Sequence, residues 1–454
     1  MNLLRKQEKV AVMHKYDDQM RDFCEQYKSF LDECKTERET AVFIEKLAKE
    51  HGFVEYKRGA KLSAGDKIYA KNRAKGIVLA VIGHKSLNDG ANITAAHIDT
   101  PRIDIRTVPL YEDTGLAMMK THYYGGIKKY QWLAIPLELR GVVYKKDGEK
   151  VEICIGKDPT DPVFTITDLL PHLGQTQMSK KATEIVTGEG LNVLVGATPS
   201  ETDDKESVKL FVLEYLYNAY GMTEEDFTSA DLSLVPAFPA RDIGFDRSMI
   251  GAYGHDDRVC TYTTARAMFD MTEIPEKTSI CLLVDKEEIG SDGLTGMKSQ
   301  HFETFMEDIC IDTGCRMRVC FENSFCMSAD VANAYDPNFA EVSEKNNDAK
   351  ISNGLAIVKY TGARGKSGAS EASAEMMSKI RTLLDTGNVS WQTGQLGRVD
   401  QGGGGTVAGM IAERNIETVD AGVPVLCMHA PFEVVSKLDV YMAYKGYKVF
   451  FEKM

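Results

Sequence analysis

Two adjacent carboxylates, Glu287 and Glu288, stand just beyond the apolar run Ile280-Cys281-Leu282-Leu283-Val284, with Gly290 two residues further on. A run this short and rich in β-formers reads as a buried strand. In open α/β sheets, chemistry gathers just past the carboxyl ends of strands. Neighbouring side chains on an extended chain point in different directions. One of the pair could therefore ligate a metal while the other faces a water held there. Four more residues share this placing: His97 after Asn92-Ile93-Thr94-Ala95-Ala96, Asp256 before a helix, Asp330 after Met327-Ser328-Ala329, and His429 after Pro424-Val425-Leu426-Cys427-Met428. Two histidines and several carboxylates, without cysteine, suit zinc, cobalt or manganese. Two such ions about 3.5–4 Å apart can share a water and polarise a carbonyl, which requires a bridging carboxylate. Asp256 is the natural bridge, with His97 and Asp330 on one ion and Glu288 and His429 on the other. Asp99, two residues after His97, is spaced to orient a ligating imidazole. Taken singly, each residue has a plainer reading. A histidine is most often structural, Asp256-Asp257 could cap the following helix, and Asp330 could belong to a turn. Together the placings point to a metal centre.

The elements that must position these residues follow from pattern. Residues 16 to 51 read as helical, with a capping box at Thr36-Glu37-Arg38-Glu39 and Gly52 as terminator. Gly76 to Gly83 bounds a buried strand, and 92 to 96 is a second. From about 103 to 245 the texture turns to short alternating segments with frequent turns, which predicts a β-rich insert. Within it, 201 to 206 reads as an acidic loop and 210 to 220 as a helix. After about 246 the α/β texture returns, with helices expected from about 259 to 271, 299 to 312 and 370 to 384, and a last one from Lys437. The expected division is a catalytic domain of 1–103 and 246–454 around an insert of 104–245.

Composition limits the partners. With 454 residues, a net charge of −13 and no lysine or arginine block, the chain is a poor match for nucleic acid or anionic membrane. No apolar stretch reaches membrane-spanning length. The N-terminus, Met1-Asn2-Leu3-Leu4-Arg5-Lys6, lacks the apolar segment of a signal peptide. Ten dispersed cysteines with no C-x-x-C pair read as reduced thiols, so a cytoplasmic protein is expected.

The chemistry-bearing segments resemble the M18 aminopeptidases, the aspartyl aminopeptidase family. The matches are His-x-Asp-Thr-Pro-Arg at 97–102, Asp-Asp-Arg at 256–258, Glu-Glu-x-Gly-Ser at 287–291, Ser-Ala-Asp at 328–330 and Met-His-Ala at 428–430, with Pro-His-Leu at 171–173 and Pro-Asn at 337–338. The resemblance implies a mixed-sheet α/β co-catalytic zinc-peptidase domain carrying an inserted β-rich dimerisation domain. It implies an aminopeptidase acting on short peptides, with two divalent ions, zinc first among them. It makes His97, Asp256, Glu288, Asp330 and His429 the ligands and Glu287 the general base. It also implies a cis peptide between Asp256 and Asp257, and a His172 that reaches a neighbouring subunit to stabilise the oxyanion. The implied assembly is a homo-oligomer, a tetrahedral dodecamer built from dimers. One departure concerns specificity. The acidic-specific branch has a histidine three residues after the Ser-Ala-Asp aspartate, where this chain has Asn333. Lys359 matches the lysine that receives an acidic side chain. Preference for Asp or Glu and preference for neutral residues therefore both stand. Gly402 to Gly405, with Gly404 facing substrate, reads either as a wall of the substrate cleft or as a tight turn; phosphate binding is the weakest reading, since no P-loop lysine follows. The rival functions are a related carboxypeptidase or deacylase and a non-catalytic self-assembling cargo protein.

Overall fold

The computed structural model describes residues 17–201 and 205–454. The start of the first expected helix at residue 16, the N-terminal residues and the middle of the 201–206 loop lie outside the described residues. The chain separates into two compact units: residues up to Thr100 with Ala240–Met428 and Phe432–Met454, and Pro101–Pro239 with His429–Pro431.

The first unit is built on a nine-stranded sheet. Its spatial order is Val54–Glu55, Lys67–Lys71, Ile77–Val81, Thr278–Val284, Ala91–His97, Phe325–Ser328, Glu417–Gly422, Leu355–Val358 and Trp391–Thr393. The four strands from Thr278–Val284 to Glu417–Gly422 run parallel to one another. The strands Thr278–Val284 and Ala91–His97 are buried along their whole length. That explains their continuous apolar runs, because a parallel strand is covered on both faces. Alternation divides the sheet between two cores. Leu79, Cys281, Met327 and Val419 face one, which takes in the helices Asp17–Glu33, His255–Phe269 and Lys437–Lys453. Val78, Ile280, Ile93 and Cys326 face the other, which takes in the helices His301–Asp312 and Met317–Glu322. A smaller five-stranded sheet joins Arg241–Ile243, Met249–Ala252, Glu433–Ser436, Pro424–Leu426 and Ala332–Asn333.

The expected 16–51 helix is two helices, Asp17–Glu33 and Glu37–Glu50. Thr36 caps the second through the reciprocal bonds of a capping box, and that cap is where the first helix must stop. The helix expected over 370–384 begins only at Ala374, where the Ser373 side chain accepts the Met376 N–H. The unit is also tied by a charge cluster around the half-buried Asp242. Asp242 receives Lys28 Nζ and Lys437 Nζ at 2.9 Å each and Arg247 Nε at 2.8 Å. Burial opposes the charged form of Asp242, but these bonds outweigh it and hold its carboxyl well below the usual carboxylate range. A depressed carboxyl stabilises the fold fully above its unfolded value of about 3.9 and loses that contribution as pH falls towards the folded value. Asp242→Asn should therefore cost about 1–3 kcal/mol at neutral pH. The gap from wild type should close below about pH 4 in urea melts taken across the acid range; a gap independent of pH would show that the charge is not what matters.

The second unit holds a six-stranded antiparallel sheet, in the order Lys150–Ile155, Leu137–Tyr144, Ala230–Pro236, Arg102–Asp113, Leu116–Tyr124 and Val193–Gly196. Trp132 is buried in it, and the helix Ser207–Tyr220 ends at Gly221 in the left-handed region. Among the described residues no helix is long and apolar enough to cross a membrane.

Candidate metal centre

The carboxyl ends of adjacent parallel strands bring the acidic residues together. Val284 and His97 are register partners across one strand pair, and Ser328 partners Ala95 across the next. His97 closes its strand, and the turn Glu287–Ile289 follows Val284 after Asp285 and a left-handed Lys286. Asp330 lies two residues past Ser328, in a loop packed closely on the strand Glu417–Gly422. A Cβ at Gly422 would stand 1.6 Å from the Asp330 carbonyl oxygen, so only glycine fits there.

His97 is 1% exposed. Its Nδ1 lies 2.9 Å from the Asp99 carbonyl oxygen and 3.3 Å from Asp99 Oδ1. Only a protonated Nδ1 can bond that carbonyl, so Nε2 is the ring atom turned to the centre. Nε2 lies 3.2 Å from Asp256 Oδ1, 3.8 Å from Asp330 Oδ1 and 4.0 Å from Glu287 Oε2. Ligand-capable atoms of His97, Glu287 and Asp330, and of His97, Asp256 and Glu288, converge within 4.8 Å of one another.

Asp99 does more than face the imidazole. Its two carboxylate oxygens accept the backbone N–H groups of Glu287 at 3.1 Å and Glu288 at 3.2 Å. One side chain thus fixes both His97 and the turn that carries the glutamate pair. The peptide between Asp256 and Asp257 is cis. Both residues depart from helical angles, and the regular part of the helix follows them, close to where the sequence places its start.

The electrostatics are those of a cation site. Burial pushes Glu287 up to about 8; His97 opposes the shift, while Asp330, Asp256 and Asp99 reinforce it. Asp330 is raised by burial and by Asp256. His97 is raised well above its ordinary value, because hydrogen bonds to Asp256, Asp330 and Asp99 overcome the effect of burial. One imidazole stands among more carboxyl groups than it can neutralise, and a divalent ion would supply the counter-charge. The donor set, nitrogen and oxygen without sulfur, fits zinc, cobalt or manganese.

His429 belongs to the second unit, where its Nδ1 lies 3.0 Å from the Gly126 carbonyl oxygen. That bond selects the tautomer whose Nε2 carries the lone pair. His172 lies on an exposed turn of the same unit, beside Leu169, Leu170 and Leu173. Lys359 Nζ stands 3.7 Å from Glu371, which also pairs with Lys366 at 2.9 Å. Asn333 is half-buried in the edge strand Ala332–Asn333. The glycine run approaches the protein's own backbone. A Cβ at Gly402 would meet the Leu396 carbonyl oxygen at 1.6 Å, and one at Gly403 would meet Ala363 Cβ at 2.5 Å. The Gly404 carbonyl accepts the Gly362 N–H at 2.8 Å. Close loop packing therefore accounts for Gly402 and Gly403.

The structure adds three residues around the centre to those that the sequence assigned a role. Glu433 Oε2 accepts the Asp256 N–H at 3.0 Å, and Thr261 Oγ1 donates to the His97 carbonyl at 2.8 Å. Asp420 takes a bond from Thr406 Oγ1 at 2.7 Å. Burial raises Asp420 to about 7, with Asp330 adding to the shift. The one available signal was a carboxylate inside an otherwise apolar strand, as at Asp420 in Thr418-Val419-Asp420-Ala421 and at Glu433 before Val434-Val435.

The chain matches the family described as aminopeptidase I zinc metalloprotease (M18) over residues 30–451. It is 46% identical over 449 residues to a probable M18 family aminopeptidase 1 of Clostridium acetobutylicum, covering 96% of each chain. The crystal structure of an M18 family aminopeptidase from Thermotoga maritima superposes with a TM-score of 0.95 at 42% identity, over 99% of this chain and 100% of that one. A yeast mApe1 structure, described as a dodecamer, shares the fold at 21% identity with a TM-score of 0.77, over 97% of this chain and 98% of that one.

Proposed function

The chain belongs to the M18 family of zinc aminopeptidases, and from that premise we propose that its centre holds two divalent ions, zinc first among them, and releases N-terminal residues from short peptides. The observation that carries this reading is the convergence of His97, Asp256, Glu287, Glu288 and Asp330 with an excess of negative charge. Asp256, His97 and Asp330 would hold one ion, and Glu288 and His429 would serve the other. When bound, the ions supply Lewis acidity, polarising the scissile carbonyl and acidifying a water. Glu287 would serve as the general base, its carboxylate accepting a proton from the attacking water and giving it to the leaving amine. Burial raises its carboxyl to about 8, and cations beside it would favour the charged form that a base needs. Asp99 holds Glu287 on line through its backbone N–H.

Copies of the chain assemble through the insert into dimers, and the dimers into a tetrahedral dodecamer. The exposed apolar turn of Leu169, Leu170 and Leu173, the last 69% exposed, supports that contact, and His172 on the same turn is offered to a neighbour's centre. The yeast relative's description as a dodecamer points the same way. Enclosure of that kind restricts substrates to short peptides.

The S1 pocket is not committed to acidic side chains. An incoming carboxylate would compete with Glu371 for Lys359, and Asn333 brings no positive charge. After chelation and add-back of zinc, cobalt or manganese, we expect hydrolysis of chromogenic Leu and Met substrates at rates at least equal to Asp and Glu. Activity confined to Asp and Glu would overturn the pocket reading and leave the mechanism standing. Substrates free at the N-terminus but blocked at the C-terminus should be cleaved. If only N-blocked substrates are cleaved, the enzyme is a carboxypeptidase or deacylase; if none is cleaved with any metal, the cargo reading takes over.

A further inference from the structure

The turn that presents Asp256 is gripped by residues outside the ligand set. Glu433, 1% exposed, opens the strand Glu433–Ser436 and pairs across the sheet with Ala252. The chain leaves Ala252 through Tyr253-Gly254-His255 to reach Asp256. Gly254 is left-handed, and a Cβ there would lie 1.5 Å from Arg258 Nη2, which donates to the Tyr253 carbonyl at 2.9 Å. The Asp256 peptide is then held at both ends: its N–H by Glu433 Oε2 at 3.0 Å and its carbonyl by Thr100 Oγ1 at 2.9 Å. The preceding residue is fixed as well. His255 is fully buried, with Nε2 3.1 Å from the Ile250 carbonyl oxygen and Nδ1 2.8 Å from the Tyr27 hydroxyl. A carbonyl only accepts, so Nε2 carries the proton. Nδ1 must then accept, and the Tyr27 hydroxyl must donate.

We infer that Glu433 is a positioning residue for Asp256, aided by Tyr27 acting through His255, and that metal affinity depends on both although neither supplies a ligand. The inference rests on the ligand role proposed above for Asp256. The Asp256 N–H meets a side-chain acceptor at ordinary hydrogen-bond length, which Glu433 Oε2 supplies. Pinning the Asp256 N–H fixes the backbone from which its carboxylate departs, and a ligand must be held within about 0.5 Å of its working position. The first helix, Asp17–Glu33, thereby becomes part of the scaffold of a site it does not enter.

The test compares Glu433→Met, which keeps the shape without an acceptor, with Glu433→Gln, which keeps an acceptor oxygen without the charge. Zinc affinity is read by competition with a chromogenic chelator, and thermal melting of the metal-free proteins reports on folding. Glu433→Met should lose about 10–100-fold in zinc affinity, the usual cost of losing an outer-shell partner. Glu433→Gln should stay within a few-fold of wild type, and Tyr27→Phe should fall in the same direction by less. Wild-type affinity in Glu433→Met would overturn the inference. Equal losses in Glu433→Gln and Glu433→Met would overturn it too, because charge rather than the held N–H would then be responsible. Asp256→Ala separates the two levels. If it loses zinc while Glu433→Met does not, only the positioning role fails; if it binds zinc normally, the ligand role fails with it.

Discussion

Glu287→Gln should abolish most turnover while leaving the metal in place. The substitution keeps the shape of the side chain and removes the basic oxygen. Glu287 Oε2 stands at the edge of the cluster, 4.0 Å from His97 Nε2, whereas Asp256 Oδ1 is at 3.2 Å. A general base contributes typically 10²–10⁴-fold, so kcat should fall by about that factor with KM little changed. Metal content after desalting should match wild type. The Asp99 carboxylate still holds the backbone of the turn, since that bond goes to the Glu287 N–H and not to its side chain. Activity near wild type would refute the assignment of the base.

The second large effect is expected at Asp256. A bridging carboxylate serves both ions, so Asp256→Ala should lose zinc as well as activity. The loss in affinity should exceed the 10–100-fold that outer-shell changes typically cause. The removal also relieves part of the repulsion on Glu287 and Asp330, since Asp256 contributes to raising both. It also removes a hydrogen-bond partner of His97, so thermal melting of the metal-free variant beside metal-free wild type separates loss of metal from loss of structure. Two tightly held ions in the variant, counted by elemental analysis, would count against the bridge.

How much of this could be read from the chain depends on how local the signal is. The strands ending in His97 and before Glu287 were legible because a fully buried parallel strand leaves an unbroken apolar run, and a carboxylate or histidine at its end has no packing reason to be there. The strand Glu417–Gly422 was not recognised, since its Glu417, Thr418 and Asp420 break the run; yet it lies beside Phe325–Ser328, packed against the Asp330 loop. The five-stranded sheet was also missed. Its strands are two to four residues long and come from three distant stretches, so no window of sequence contains it. Glu433 lies in that sheet, which is why its hold on Asp256 appeared only in three dimensions. The capping box at Thr36 was legible for the opposite reason, because all its partners lie within four residues.

The order of the strands has a consequence for synthesis. The strand Ala91–His97 lies between Thr278–Val284 on one side and Phe325–Ser328 on the other. Both neighbours leave the ribosome long after it does; Asp99 and its partner Glu287 are 188 residues apart in sequence. At roughly 5–20 residues per second, that separation is on the order of ten to forty seconds. For that interval a seven-residue strand, buried throughout in the finished protein, has neither sheet neighbour. The six strands of the insert, by contrast, are translated together within the gap. The insert is thus free to fold vectorially, whereas the catalytic sheet can close only post-translationally or near the end of translation. The nascent chain must keep that strand from pairing elsewhere until its partners emerge.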